Sequence, residues 1–190
     1  LTPIRSGLPQ LAAALGDHSD QAAEGIMTTD THPKEIAVQF TAGGRTCTIG
    51  GIAKGSGMIH PNLATMLVFL TTDCAISAPM LHAALTGDVS DTFNMVSVDG
   101  DTSTNDMVAV LANGLAGNAE ITAPGADFTA FCSALNSVTV WLCRQIAGDG
   151  EGATRLLECC VTGAADHGTA KTVAKSIICS SLVKAAMFGA

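Results

Sequence analysis

Lys54-Gly55-Ser56-Gly57-Met58-Ile59-His60-Pro61-Asn62-Leu63-Ala64-Thr65-Met66-Leu67 is the stretch on which the chain turns. Its glycines and proline make an irregular loop, and the apolar run from Met66 to Leu70 follows without a break. Thr65 therefore stands where a loop becomes a buried element. A threonine there is ordinary unless the Ala64–Thr65 bond is cut. Cutting that bond would place a free α-amino group beside the threonine hydroxyl, a nucleophile with a base attached.

Outward from this stretch, Ile36, Val38 and Phe40 alternate with Ala37 and Gln39, so a strand with one buried face is expected. Ala42-Gly43-Gly44 reads as a turn, and Cys47 and Ile49 continue the alternation, which makes a hairpin. Met66–Thr71 is a short continuous apolar run and suits a strand covered on both faces. Leu8–Leu15 and Asp20–Met27 read as helices or turns, closed by Pro33. Ser77 and Pro79 mark a helix start, with Leu81, Leu85 and Phe93 on its apolar side. Strands are expected at Met95–Val98, Met107–Ala112 and Leu156–Thr162. Phe128, Phe131, Leu135, Val138, Leu142 and Ile146 form the stripe of the longest helix, stopped at Gly148. A last helix is expected over His167–Cys179. These elements read as a mixed α/β domain, with sheet between helices and residues 1–190 as a single unit.

The chain has 190 residues and a net charge of −8, from 17 acidic against 9 basic side chains. No basic cluster offers a footprint for nucleic acid. Only 14% of residues are charged and 47% are apolar, so some apolar surface is expected to meet other protein. No apolar run reaches the roughly 18 residues of a membrane span. Seven cysteines lie mostly in apolar segments without C-x-x-C spacing, which reads as buried reduced thiols.

Asp99-Gly100-Asp101-Thr102-Ser103-Thr104-Asn105-Asp106 resembles a calcium loop at first. It lacks the glycine and the bidentate glutamate such a loop needs, so no metal site is expected. Gly148-Asp149-Gly150-Glu151-Gly152 has no lysine or serine to cradle phosphate. It is either a plain helix-to-strand connection or a carboxylate presented to a cationic group. Lys54, among glycines, is either solvated or holds an anionic substrate.

At these residues the chain resembles the ornithine acetyltransferases, the glutamate N-acetyltransferases of arginine biosynthesis. Gly50–Leu67 is similar to their autocleavage region. Ile26–Thr31, Asp101–Asp106, Asp149–Thr154 and Ser181–Gly189 agree with further blocks in order. The resemblance implies a layered α-β-β-α sandwich of the N-terminal-nucleophile kind and self-cleavage between Ala64 and Thr65. It implies acetyl transfer from N-acetylornithine to glutamate through an acetyl-threonine at Thr65. Thr28 and Lys54 would line the substrate pocket with Thr65, and Glu151 would meet an amino group of ornithine. No cofactor is implied; family members differ on whether acetyl-CoA also serves as acetyl donor. The implied partners are the two small substrates, the other part of the cleaved precursor and further copies in a homo-oligomer of cleaved heterodimers. The implied place is the cytoplasm, or the mitochondrial matrix in a eukaryote. By the same resemblance the chain reads as the central part of a longer enzyme, without the Thr-Gly block of the oxyanion hole. Two alternatives stay open: a related self-cleaving aminopeptidase or hydrolase, and an idle fragment.

Overall fold

The computed structural model describes residues 1–59, 66–101 and 104–189. Two N-terminal helices, α1 (Thr2–Ala13) and α2 (Ser19–Gly25), precede a hairpin of β1 (Lys34–Ala42) and β2 (Arg45–Lys54). Gly43 and Gly44 make its two-residue turn, with φ of 54° and 71°. Positive φ at both positions matches the twist of the flanking strands, and only glycine adopts it without strain. β3 (Leu67–Thr72) pairs antiparallel with β2, and β4 (Met107–Ala112) pairs parallel with β3, giving the order β1-β2-β3-β4.

A parallel pair needs a crossover. Here it runs through α3 (Ala78–Asp91) and a short 3-10 turn at Phe93–Met95. α4 (Ala126–Gly148) follows β4, and α5 (His167–Ile178) and α6 (Ser181–Phe188) close the chain. The register places Ile36, Val38 and Phe40 on one face with Ile49, Val68 and Leu70. α4 lies across that face. Its stripe of Phe131, Leu135, Val138, Leu142 and Ile146 is fully buried, and Phe131 meets Phe40 edge-on at 5.8 Å. The mixed α/β class is as expected, with one sheet and a helical layer of the implied sandwich among the described residues.

Several expectations need correction. Leu156–Thr162 is not a strand: it has no regular secondary structure, Leu157, Cys159 and Val161 are half-buried, and it pairs with neither edge of the described sheet. An alternating apolar run sets which side chains prefer burial but does not supply a partner. Met95–Val98 is not a strand either. The 3-10 turn takes its first residue, and a single backbone bond joins Val98 N–H to the Ile59 carbonyl at 2.6 Å. Phe93 lies beyond the end of α3 rather than on it. β3 is covered on one face: Val68, Leu70 and Thr72 are buried, whereas Leu67 and Phe69 are half-buried and Thr71 is exposed. α6 was not anticipated. Its Ser180 cap accepts from the Val183 N–H at 3.3 Å. Exposed apolar surface is present, as on α1, where Leu8 and Leu11 are exposed and no residue is buried.

Candidate active site

Four segments converge at the C-terminal end of β2. Lys54 is the last residue of that strand, is 7% exposed, and donates from Nζ to Thr28 Oγ1 at 3.3 Å. Thr28 belongs to the loop after α2. The next residues, Gly55 to Gly57, leave the sheet, with Gly55 at φ 152°. Across from them lies the end of α4. The Glu151 N–H donates to the Ser56 carbonyl at 2.8 Å, and its carboxylate hangs over Gly57. A Cβ on Gly57 would come within 2.6 Å of Glu151 Oε1. Of the residues expected at a site, Thr28, Lys54 and Glu151 are thus neighbours in space. Ala64 and Thr65 lie outside the described residues.

A buried ion cluster ties these segments together. The Lys34 ammonium sits between Asp30 Oδ1 at 2.7 Å and Asp149 Oδ2 at 2.6 Å, and all three side chains are essentially inaccessible. Asp30 Oδ1 also accepts the Gly55 N–H at 2.7 Å, and its Oδ2 accepts the Thr28 N–H at 3.2 Å. Asp149 accepts both the N–H and the hydroxyl of Thr31. The hydroxyls of Thr29 and Ser56 share a hydrogen bond at 2.6 Å. Burial pushes the Asp30 carboxyl up, but the Gly55 N–H, Lys34 and the Thr28 N–H outweigh it and hold the group below its ordinary value. Burial likewise raises Asp149, and Lys34 and Thr31 more than reverse it. The loop carrying Thr28, the strand end carrying Lys54 and the helix end leading to Glu151 are therefore clamped to one cation.

On the other side of the Gly55–Ile59 loop, Asp106 Oδ1 accepts the Met66 N–H at 2.7 Å. Here burial wins: the Asp106 carboxyl is pushed up, with the Met66 N–H and the Lys54 charge offsetting it only in part. A cavity of about 610 Å³ opens beside Glu151, between Val98, Cys143, Leu157 and Lys184, but neither Thr28 nor Lys54 lines it.

Reasoning from the sequence missed Asp30, Lys34 and Asp106 as individual residues. Asp30 and Asp106 sat inside blocks that had been noted as a whole. Lys34 carried one faint signal: it is one of only 9 basic residues and opens a strand.

Fold and polar cluster define a mixed α/β protein that gathers an ammonium, a hydroxyl and a carboxylate around one loop. The chain belongs to the ArgJ family, whose model matches residues 1–190. It is 54% identical over 187 residues to the arginine biosynthesis bifunctional protein ArgJ of Symbiobacterium thermophilum, covering 98% of this chain and 46% of that protein. Identity to the protein of the same name from Geobacillus stearothermophilus is 52% over 188 residues, with the same coverage. The chain thus spans about half the length of the curated relatives it matches. The crystal structure of arginine biosynthesis bifunctional protein ArgJ from Bacillus halodurans superposes with a TM-score of 0.62 at 50% identity. That match covers 64% of this chain and 57% of the other, and it agrees with the N-terminal-nucleophile-like sandwich implied above.

Proposed function

We propose that the chain is the nucleophile-bearing part of an acetyltransferase of arginine biosynthesis that moves an acetyl group from N-acetylornithine to glutamate. The observation that carries this reading is the meeting of Thr28, Lys54 and Glu151 around Ser56–Gly57, in a chain of the ArgJ family. Cleavage between Ala64 and Thr65 would free the α-amine of Thr65. With a pKa of about 8 it can be neutral near physiological pH and take the hydroxyl proton.

The Thr65 oxygen then attacks the acetyl carbonyl of N-acetylornithine. The amide C–N bond breaks, ornithine leaves with the proton, and an acetyl ester remains on Thr65. The amino group of glutamate attacks that ester in turn, N-acetylglutamate departs, and the threonine hydroxyl is restored. Lys54, whose ammonium has Thr28 as its hydrogen-bond partner among the described residues, has donors to spare for a substrate carboxylate. Glu151, exposed beside Gly57, suits an amino group of ornithine. No cofactor enters this cycle, and acetyl-CoA would enter only as a second acetyl donor.

The other part of the precursor and further copies of the heterodimer are the partners this reading requires, with the reaction placed in the cytoplasm. Among the described residues no helix is long and apolar enough to cross a membrane.

Intact mass of the complete gene product tests the reading. Two chains breaking at Ala64–Thr65 are expected, with one acetyl group added to the Thr65 chain after exposure to N-acetylornithine and lost again on adding glutamate. Thr65→Ala should remain one chain and transfer nothing. An uncut protein that still transferred acetyl groups would overturn the mechanism.

A further inference from the structure

Gly57 lies under the exposed carboxylate of Glu151. Of the two glycines flanking Ser56, Gly55 needs its freedom for the backbone, at φ 152°. Gly57 does not: its φ lies outside the left-handed region, so alanine could adopt its conformation. What Gly57 supplies is room. The three atoms nearest an added Cβ all belong to the Glu151 carboxyl group, at 2.6, 2.8 and 3.2 Å. Non-bonded carbon contacts settle at about 3.5–4.0 Å, so a side chain at 57 would drive the carboxylate off the loop. The Glu151 N–H is held by the Ser56 carbonyl at 2.8 Å. The side chain would therefore swing while its root stayed in place.

The same loop starts at Lys54, whose ammonium donates to Thr28 Oγ1 at 3.3 Å. Its next residue is pinned by the Gly55 N–H on Asp30 Oδ1 at 2.7 Å. A substrate with its carboxylate on Lys54 and its ammonium on Glu151 must span the gap between them. Gly57 sets the Glu151 side of that gap.

We propose that Gly57 is a positioning residue that fixes the length of diamino acid the site accepts. This rests on the reading of Lys54 and Glu151 as partners of N-acetylornithine given above. With its α-nitrogen acetylated, that substrate presents a carboxylate at one end and a single ammonium three methylenes from Cα. The missing side chain at 57 lets the Glu151 carboxylate lie against the loop, at a span that suits three methylenes and is short for the four of N-acetyllysine. A Cβ at 57 widens the span.

Gly57→Ala in the complete gene product tests this, with N-acetylornithine and N-acetyllysine as donors and glutamate as acceptor. One methylene in a fitted pocket is worth about 10- to 200-fold in kcat/KM. The ratio of kcat/KM for N-acetylornithine to that for N-acetyllysine should therefore fall at least about 10-fold in the variant, through KM more than kcat. The melting temperature should hold or rise, because alanine has fewer unfolded conformations to lose than glycine. A merely structural Gly57 would lower the melting temperature and slow both donors alike. An unchanged ratio, or one shifted further towards N-acetylornithine, overturns the proposal.

Glu151→Asp supplies the second arm, because it draws the carboxylate back by one carbon, clear of position 57. In that background Gly57→Ala should change the ratio no further; an equal fall in both backgrounds overturns the assignment. Where Gly57→Ala alone is not folded and cleaved, adding Glu151→Asp should restore both, and failure to do so also overturns it. The wild-type protein keeps the two readings apart. If it transfers acetyl from neither donor, the proposed function is wrong. If it transfers from N-acetylornithine and Gly57→Ala leaves the ratio unmoved, only the role of Gly57 fails.

Discussion

With Asp30 on one side and Asp149 on the other, the Lys34 ammonium is the central cation of a buried cluster that binds a loop, a strand end and a helix end. Removing it would leave two carboxylates facing each other out of water. Lys34→Met is therefore expected to lose about 3–5 kcal/mol in urea denaturation, the range for breaking a buried pair. A loss well under 1 kcal/mol would show that the cluster is solvated. The sign of the pH effect follows from the depressed carboxyls. Asp30 and Asp149 stabilise the fold at pH above their ordinary value of 3.8 and lose that contribution as pH falls below it. Acid denaturation should accordingly steepen below about pH 4, and Asp30→Asn should flatten it. At this scale the sequence was legible by type and not by pairing. Asp149 sits in a glycine loop and Asp30 follows two threonines, and neither context marks a buried partner. Nothing local shows that residues 118 positions apart in sequence, Thr31 and Asp149, share a hydrogen bond.

Among the elements, those with a strong period of their own were legible from sequence. α4 has a stripe at helical spacing and the hairpin has alternation on both sides of a Gly-Gly turn, and each lies where its period put it. Leu142 is fully buried in that stripe, so Leu142→Ala should cost about 2–5 kcal/mol by chemical denaturation. A smaller loss would mean that α4 packs loosely on the sheet. The elements that failed were those whose state depends on a neighbour. Leu156–Thr162 has the composition of a strand but no edge to join among the described residues. Val96–Val98 has a backbone bond from Val98 to Ile59 and the Lys184 ammonium on its Val98 carbonyl, rather than a ladder. The site followed the same division. Lys54 and Glu151 lie beside glycines and were singled out with their alternatives open until the family resemblance, and the clamp beneath them was not, because its members come from three different elements.

For the whole molecule the deciding feature is the ladder between β2 and β3, in which Ile49 to Lys54 face Thr72 to Leu67. The proposed break lies in the connection between these two strands, so each would end in a different product while both remain in one sheet, under one helix. The break would then change the order of the unfolding reaction without changing the fold. In an unbroken chain, unfolding includes no dissociation step between β2 and β3. Two chains that separate on unfolding follow mass action, and their midpoint rises with concentration. Calorimetry over a hundredfold dilution series should therefore show a melting temperature that drifts more steeply for the mature protein than for Thr65→Ala, whose only dissociation is between copies. The sheet would act as a splint across a fracture, and the cell's supply of the protein would itself become part of what keeps it whole.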